Sequence, residues 1–214
     1  ILEKEKSLQD EKLDIKLDEL KQKENELNKR EDAMRSQQAN SALYANKLFY
    51  LKMKKYFKDG HYNNELSRID PSTLRVEKVS AMDNIGGMRF DIFSDGIVVL
   101  TRKDNNDRDY RLTLIDRETM LPQKTGGENI FWRSFIVIRD NFIYAIISEK
   151  GEYRLGKFSP DLKRVAVSEK LLKADNIITF YDNNIFLADH KENIIILNKD
   201  DLSEVETINP SMEQ

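Results

Sequence analysis

The chain has 214 residues, enough for one moderate domain and an appendage. Its formal charge is −3 with 34% charged residues, a near balance that offers no argument for a nucleic acid or an anionic membrane as partner. Cysteine is absent, which excludes a disulfide framework, a zinc–thiolate site and a cysteine nucleophile within these residues and fits an extracytoplasmic protein.

The sequence opens on Ile1 rather than Met, which reads as a fragment or processed form. No apolar run approaches the ~18 residues of a membrane-spanning helix, so no transmembrane segment is expected, and no signal peptide is visible. Residues 1–40 are half Asp, Glu, Lys and Arg, with neither Gly nor Pro. Leu13, Leu20, Leu27 and Met34 recur at the period of a coiled-coil seam. Leu17 begins a second seam, but Glu24, Glu31 and Gln38 then occupy its positions. Glu19 with Lys23, Glu26 with Arg30 and Glu31 with Arg35 each support a helix by about 0.2–0.5 kcal/mol. The expectation is a long charged helix. It reads as a solvated spacer, a dimeric or trimeric coiled coil, or a helix lying along the second domain.

From about Ala42 the period changes to that of strands, with turn signals every 8 to 12 residues. Third apolar runs end at Leu66–Pro71, Leu112–Arg117, Leu155–Pro160 and Ile194–Lys199. Their spacing of roughly 40 to 46 residues is that of four-stranded propeller blades. Four repeats follow, at about 42–79, 89–124, 135–168 and 177–208, with 209–214 as a tail. In the second, Phe90–Phe93, Ile97–Thr101 and Tyr110–Ile115 are predicted strands, and the run at Ile97 suits a strand buried on both faces. In the third, Phe135–Ile138 precedes an Arg139-Asp140-Asn141 turn; in the fourth, Ile177–Tyr181 precedes Asp182-Asn183-Asn184. These turn residues tolerate positive φ or bond their own backbone. The fourth strands, Leu74–Val79, Lys163–Val167 and Glu204–Ile208, are more polar, as an outer edge should be. Four blades close a small ring alone, or two chains combine into an eight-bladed ring; unmet outer repeats would expose apolar faces.

Arg154-Leu155-Gly156-Lys157-Phe158-Ser159-Pro160 with Ser168-Glu169-Lys170 resembles the C-terminal repeat region of the Borrelia-type 83/100-kilodalton antigen family of spirochaetes. Ile194-Ile195-Ile196-Leu197 with Asp201-Leu202 and Glu204-Val205 resembles that family's last repeat, and Asp95–Leu100 fits as well. The longer loop Lys54–Glu65 departs from the family pattern. The resemblance implies an exported, periplasmic or envelope-associated antigen with a cleaved signal upstream and no catalytic residues to carry over.

Candidate chemistry is sparse. Lys103–Asp109 offers oxygen ligands, but from Asn105 the sixth position is Tyr110 where a calcium loop needs Gly, and Asp116 replaces the terminal Glu. An ordinary solvated hairpin loop is the expectation. His61 and His190, the two histidines, read as surface residues. Asp200-Asp201 and Asp104 with Asp107 are paired carboxylates in turn-like segments, with nothing to single out an acid–base pair. Gly86-Gly87 and Gly126-Gly127 lack the flanking pattern of a phosphate loop and read as kinks between blades. Ile130-Phe131-Trp132-Arg133 holds the single Trp. With the equivalent Gly87-Met88-Arg89 it would place Trp132, Arg133, Met88 and Arg89 around one propeller rim, as a binding hot spot or, for Trp132, as packing between blades.

The expected fold is therefore mainly β: a four-repeat propeller-like domain behind a long charged helix. The expected function is a non-enzymatic docking platform of the spirochaetal cell envelope, without cofactor or metal, whose partner is an unidentified protein or envelope component. The alternatives are a small-ligand or carbohydrate-binding propeller and a propeller hydrolase or lyase.

Overall fold

The computed structural model describes residues 41–58, 60–103 and 108–210, together with Lys16, and the chain divides between Ala39 and Asn40. Among the described residues, sixteen strands follow one another as four antiparallel meanders. The first is β1 (Ser41–Tyr44), β2 (Lys47–Tyr56), β3 (Tyr62–Asp70) and β4 (Arg75–Val79). The second is β5 (Ile85–Phe93), β6 (Gly96–Arg102), β7 (Tyr110–Ile115) and β8 (Pro122–Thr125). The third is β9 (Val137–Arg139), β10 (Phe142–Glu149), β11 (Glu152–Phe158) and β12 (Arg164–Val167). The fourth is β13 (Thr179–Tyr181), β14 (Asn184–Ala188), β15 (Ile194–Asn198) and β16 (Glu204–Ile208).

The hairpins have local causes. Ala45-Asn46 and Asp140-Asn141 both hold positive φ at both turn positions, the conformation whose twist matches paired strands. Between third and fourth strands all four meanders slip register at the same point, at Arg68/Ile69, Leu114/Ile115, Lys157/Phe158 and Ile196/Leu197. A tight turn follows each slip. In it Leu74, Met120, Leu162 or Leu202 adopts a left-handed conformation, with φ of 55, 57, 62 and 63°. The turns are closed by backbone hydrogen bonds from these four residues to the carbonyls of Asp70, Asp116, Ser159 and Asn198, at 2.8 to 2.9 Å. A left-handed leucine is sterically costly, so the turn needs compensation from elsewhere.

Each meander has a forward face, toward the next in sequence, and a backward face. Burial of apolar area between them is the main source of stability. In β6 every residue is buried: Ile97 and Val99 join Phe49, Leu51 and Leu66 in a core between meanders one and two. Val98 and Leu100 join Ile143, Ala145 and Ile147 in a core between two and three. Tyr144, Ile146 and Leu155 meet Ile185, Leu187, Ile195 and Leu197 between three and four. Polar ties accompany the packing. Arg68 Nη1 donates to the Arg117 carbonyl at 2.9 Å, and Lys157 Nζ donates to the Lys199 and Asp200 carbonyls at 3.0 and 2.9 Å. Lys124 pairs with Asp161 at 3.2 Å.

The expected fold, a four-repeat propeller-like domain of four-stranded blades behind a long charged helix or coiled coil, is corrected. Apart from Lys16, which is helical, the described residues are all-β and contain no long helix or coiled coil; the rest of residues 1–40, on which the helix expectation falls, lies outside the described residues. The sheets number three rather than four. β3 pairs with β4 along one stretch and meets β5 at Asn64–Ile85 beyond it, so meanders one and two form a single eight-stranded sheet. The physical reason is the length of β3. At nine residues it outruns the five of β4, and its bare edge finds a partner in β5.

Candidate functional site

The segments linking one meander to the next gather aromatic and cationic side chains from residues far apart in sequence. Trp132, half-buried between β8 and β9, packs on His61 with ring centroids 4.9 Å apart, on Tyr62 at 6.3 Å and on Phe131 at 6.3 Å. His61 stacks at 27° on Tyr110 of β7, and Phe131 meets Tyr153 of β11 edge-on at 5.2 Å. The rings of His61, Tyr110, Phe131, Trp132 and Tyr153 line a cavity of about 250 Å³, with Arg108 and Ser148 as polar lining. Two larger grooves, about 480 and 440 Å³, have no aromatic ring in their lining.

The cavity rests on a rigid base. Arg102 of β6 is fully buried under Tyr110, its guanidinium 5.9 Å from that ring and 4.5 Å from Phe57, and Nη2 donates to Asn63 Oδ1 at 2.7 Å. A buried cation held by hydrogen bonds and ring faces leaves its neighbours little freedom to shift. Gly86 is required beneath the ring: a Cβ there would strike Tyr110.

Of the rim expected from sequence, the structure brings Arg89, Trp132 and Arg133 together. Arg89 of β5 lies over the Phe135 ring at 3.1 Å, and exposed Arg133 pairs with Asp175 at 3.4 Å. Tyr62 is the link. Burial pushes its hydroxyl above the ordinary value of 10.0, against the opposing pull of Arg133 and Arg89, so the phenol stays protonated and able to donate at neutral pH. Met88 belongs to β5 within the irregular stretch between Gly86 and Phe90.

Several neighbours escaped the sequence reading. His61 is buried, 7% exposed, against the expectation of a surface residue, because the loop before β3 folds it onto Tyr110 and Trp132; His190 is exposed. Tyr62, Tyr110, Phe135 and Asp175 were equally silent, since nothing local couples them to Trp132. Of the solvated hairpin loop expected at Lys103–Asp109, residues 104–107 lie outside the described residues. Among the described residues no group of three or more His, Asp or Glu is placed to hold a metal ion, and no helix is long and apolar enough to cross a membrane.

No family model and no curated protein matches this chain. Solved structures do. The computationally designed Ika8 protein aligns over 79% of this chain and 61% of its own, at 8% identity and a TM-score of 0.51. BamB from Moraxella catarrhalis aligns over 79% of this chain and 72% of its own, at 12% identity and a TM-score of 0.42. The chain thus spans about three-fifths of the designed protein it matches, a likeness of fold alone. By strand topology alone, the described residues form an array of four consecutive four-stranded antiparallel meanders.

Proposed function

We propose that the protein is a non-enzymatic docking module, and that the rim formed by Tyr62, Arg89, Trp132 and Arg133 engages a protein segment carrying acidic and aromatic side chains. The observation behind this reading is the clustering of a Trp, a Tyr and two Arg from three separate segments on a supported surface, the composition of interface hot spots. Arg133 and Arg89 would meet carboxylates, and Trp132 would supply apolar area around a protonated phenol. Placement in a spirochaetal envelope is part of the proposal and rests on the resemblance in residues 154–160 and 194–205.

The test is a defined array of acidic–aromatic peptides read by Trp132 fluorescence, since it is the chain's single tryptophan. Binding should weaken about tenfold or more in Arg133→Ala and in Arg89→Ala, the loss of a charge-assisted contact. Equal binding by both variants, or saturable substrate turnover by the wild type, would sink the reading.

The aromatic cavity favours a second reading, a small-ligand or carbohydrate site, because a ring-lined pocket of about 250 Å³ suits a single sugar or similar ring. Saturable thermal stabilisation by a monosaccharide panel, abolished in Tyr153→Ala, would favour it over peptide docking.

A further inference from the structure

The three apolar cores lie between meanders one and two, two and three, and three and four; among the described residues no fourth core joins four back to one. The outer faces nevertheless carry the residues of a core. At the backward-facing positions where β6 has Ile97 and Val99 and β10 has Ile143 and Ala145, β2 has Leu48 and Tyr50. Cross-strand pairing extends that face as a row, Leu43–Leu48–Ile69–Val76. Leu43 and Val76 at its ends are 58% and 56% exposed. At the forward-facing positions where β11 has Leu155 and Lys157, β15 has Ile194, 36% exposed, and Ile196, opposite Phe186 of β14. Burial is continuous along β6 but alternates along β14, although both strands are apolar on both faces.

The left-handed turn residues make the same point more sharply. Met120, Leu162 and Leu202 each reach into the core shared with the preceding meander and are 0%, 3% and 1% exposed. Leu74 is their counterpart in the first meander, held at φ 55° by a turn closed like those of Met120 and Leu202, and it is 78% exposed. A side chain in a strained conformation, with its three equivalents buried, is a knob without its hole.

The forward-facing position two residues before each turn tells which hole. It is Arg68, Leu114, Lys157 and Ile196 in the four meanders. Arg68 and Lys157 tie to turn carbonyls of the following meander, whereas Leu114 packs in the core that holds Leu162. Ile196 matches Leu114, so the partner it calls for is a turn like that of the third meander, with an apolar left-handed residue. The first meander's turn has one in Leu74. Charge agrees: opposite Ile196 lies Glu206, where Lys124 lies opposite Leu114, and the free turn carries Arg75 just after Leu74.

We propose that the forward face of the fourth meander seats the backward face of the first meander of a second copy, Leu74 entering between Phe186, Ile194 and Ile196, and that two such contacts close a two-fold ring of eight meanders. Head-to-tail contacts form rings when the rotations close and filaments when they do not. Propeller rings hold typically about 4 to 8 blades, so two copies of four stay within that range and three do not. The ring faces used here are separate from the Trp132 rim, so failure of one proposal leaves the other standing.

Light scattering on the full chain decides first. Twice the 25.1 kDa of one chain is expected, with the mass halved in Leu74→Asp and the circular dichroism of the folded domain retained, since Leu74 is exposed within one copy. A single-chain mass for the wild type overturns the proposal and gives the faces to another segment or partner. A ladder of larger species overturns ring closure. Direction is tested by cross-linking, because the chain has no native cysteine. Leu74→Cys/Ile196→Cys should oxidise to a covalent two-chain species, and Leu74→Cys alone should not. Self-linking of Leu74→Cys, or an intrachain bridge in the double variant, overturns head-to-tail pairing.

Discussion

Asp70, Asp116, Asp161 and Asp201 occupy the turns after the third strands, and all four are held below their ordinary carboxylate range by hydrogen bonds within those turns. For Asp70 the Ser72 hydroxyl and the Thr73 and Ser72 amides bring the value to about 2 from 3.8. A carboxylate depressed in the folded state contributes stability that is full above its unfolded value and lost as pH falls through the folded one. The thermal midpoint should therefore hold steady down to about pH 5 and drop between about pH 4 and 2. Asp116→Asn, which keeps the shape of the cap but cannot titrate, should flatten part of that drop in melts at pH 5, 3 and 2. An identical acid profile for wild type and variant would mean that the turns do not govern acid stability. These capping residues were readable in sequence, because an Asp bonds its own neighbours. The left-handed conformation of Leu74 was not, since leucine carries no turn signal and only the repeated fold imposes it.

Among the elements, β11 shows how tightly the meanders are fitted. Gly156 stands where β7 has Thr113, and a Cβ there would lie 2.6 Å from Ile147 Cδ1 and 2.8 Å from the Phe158 ring. Gly156→Ala is expected to cost about 1–3 kcal/mol through overpacking. Leu100→Ala, in a strand buried on both faces, should cost about 2–5 kcal/mol through the cavity it leaves. Leu121→Ala, at 52% exposure, should fall within about 0.5 kcal/mol of wild type. Urea denaturation orders the three; a Leu100→Ala cost no larger than that of Leu121→Ala would contradict the assigned core. The hairpin at Asp140-Asn141 was legible because its twist is a property of two residues. The start of β5 was not: the sequence points to Phe90, yet the strand begins at Ile85, because Asn64 on β3 offers an edge that Gly86 and Gly87 can approach.

For the molecule as a whole, a ring completed by a second copy makes stability depend on concentration, since association adds to folding. The unfolding midpoint of the wild type should rise with protein concentration, whereas that of Leu74→Asp should not. A concentration-independent wild-type midpoint would argue for self-sufficient monomers. By itself the sequence determined the strand period, the fourfold repeat in residues 42–208 and the turn chemistry, because each depends on neighbours within one repeat. It also brought Trp132, Arg133, Met88 and Arg89 forward as rim candidates, since an Arg recurs in equivalent linkers and the single Trp stands beside one of them. Only the tertiary structure decided that the first two repeats share a sheet, that His61 is buried on Trp132, and that the cores among the described residues stop at three. Those facts depend on which edges and faces meet across long sequence separations, where no local propensity chooses among partners.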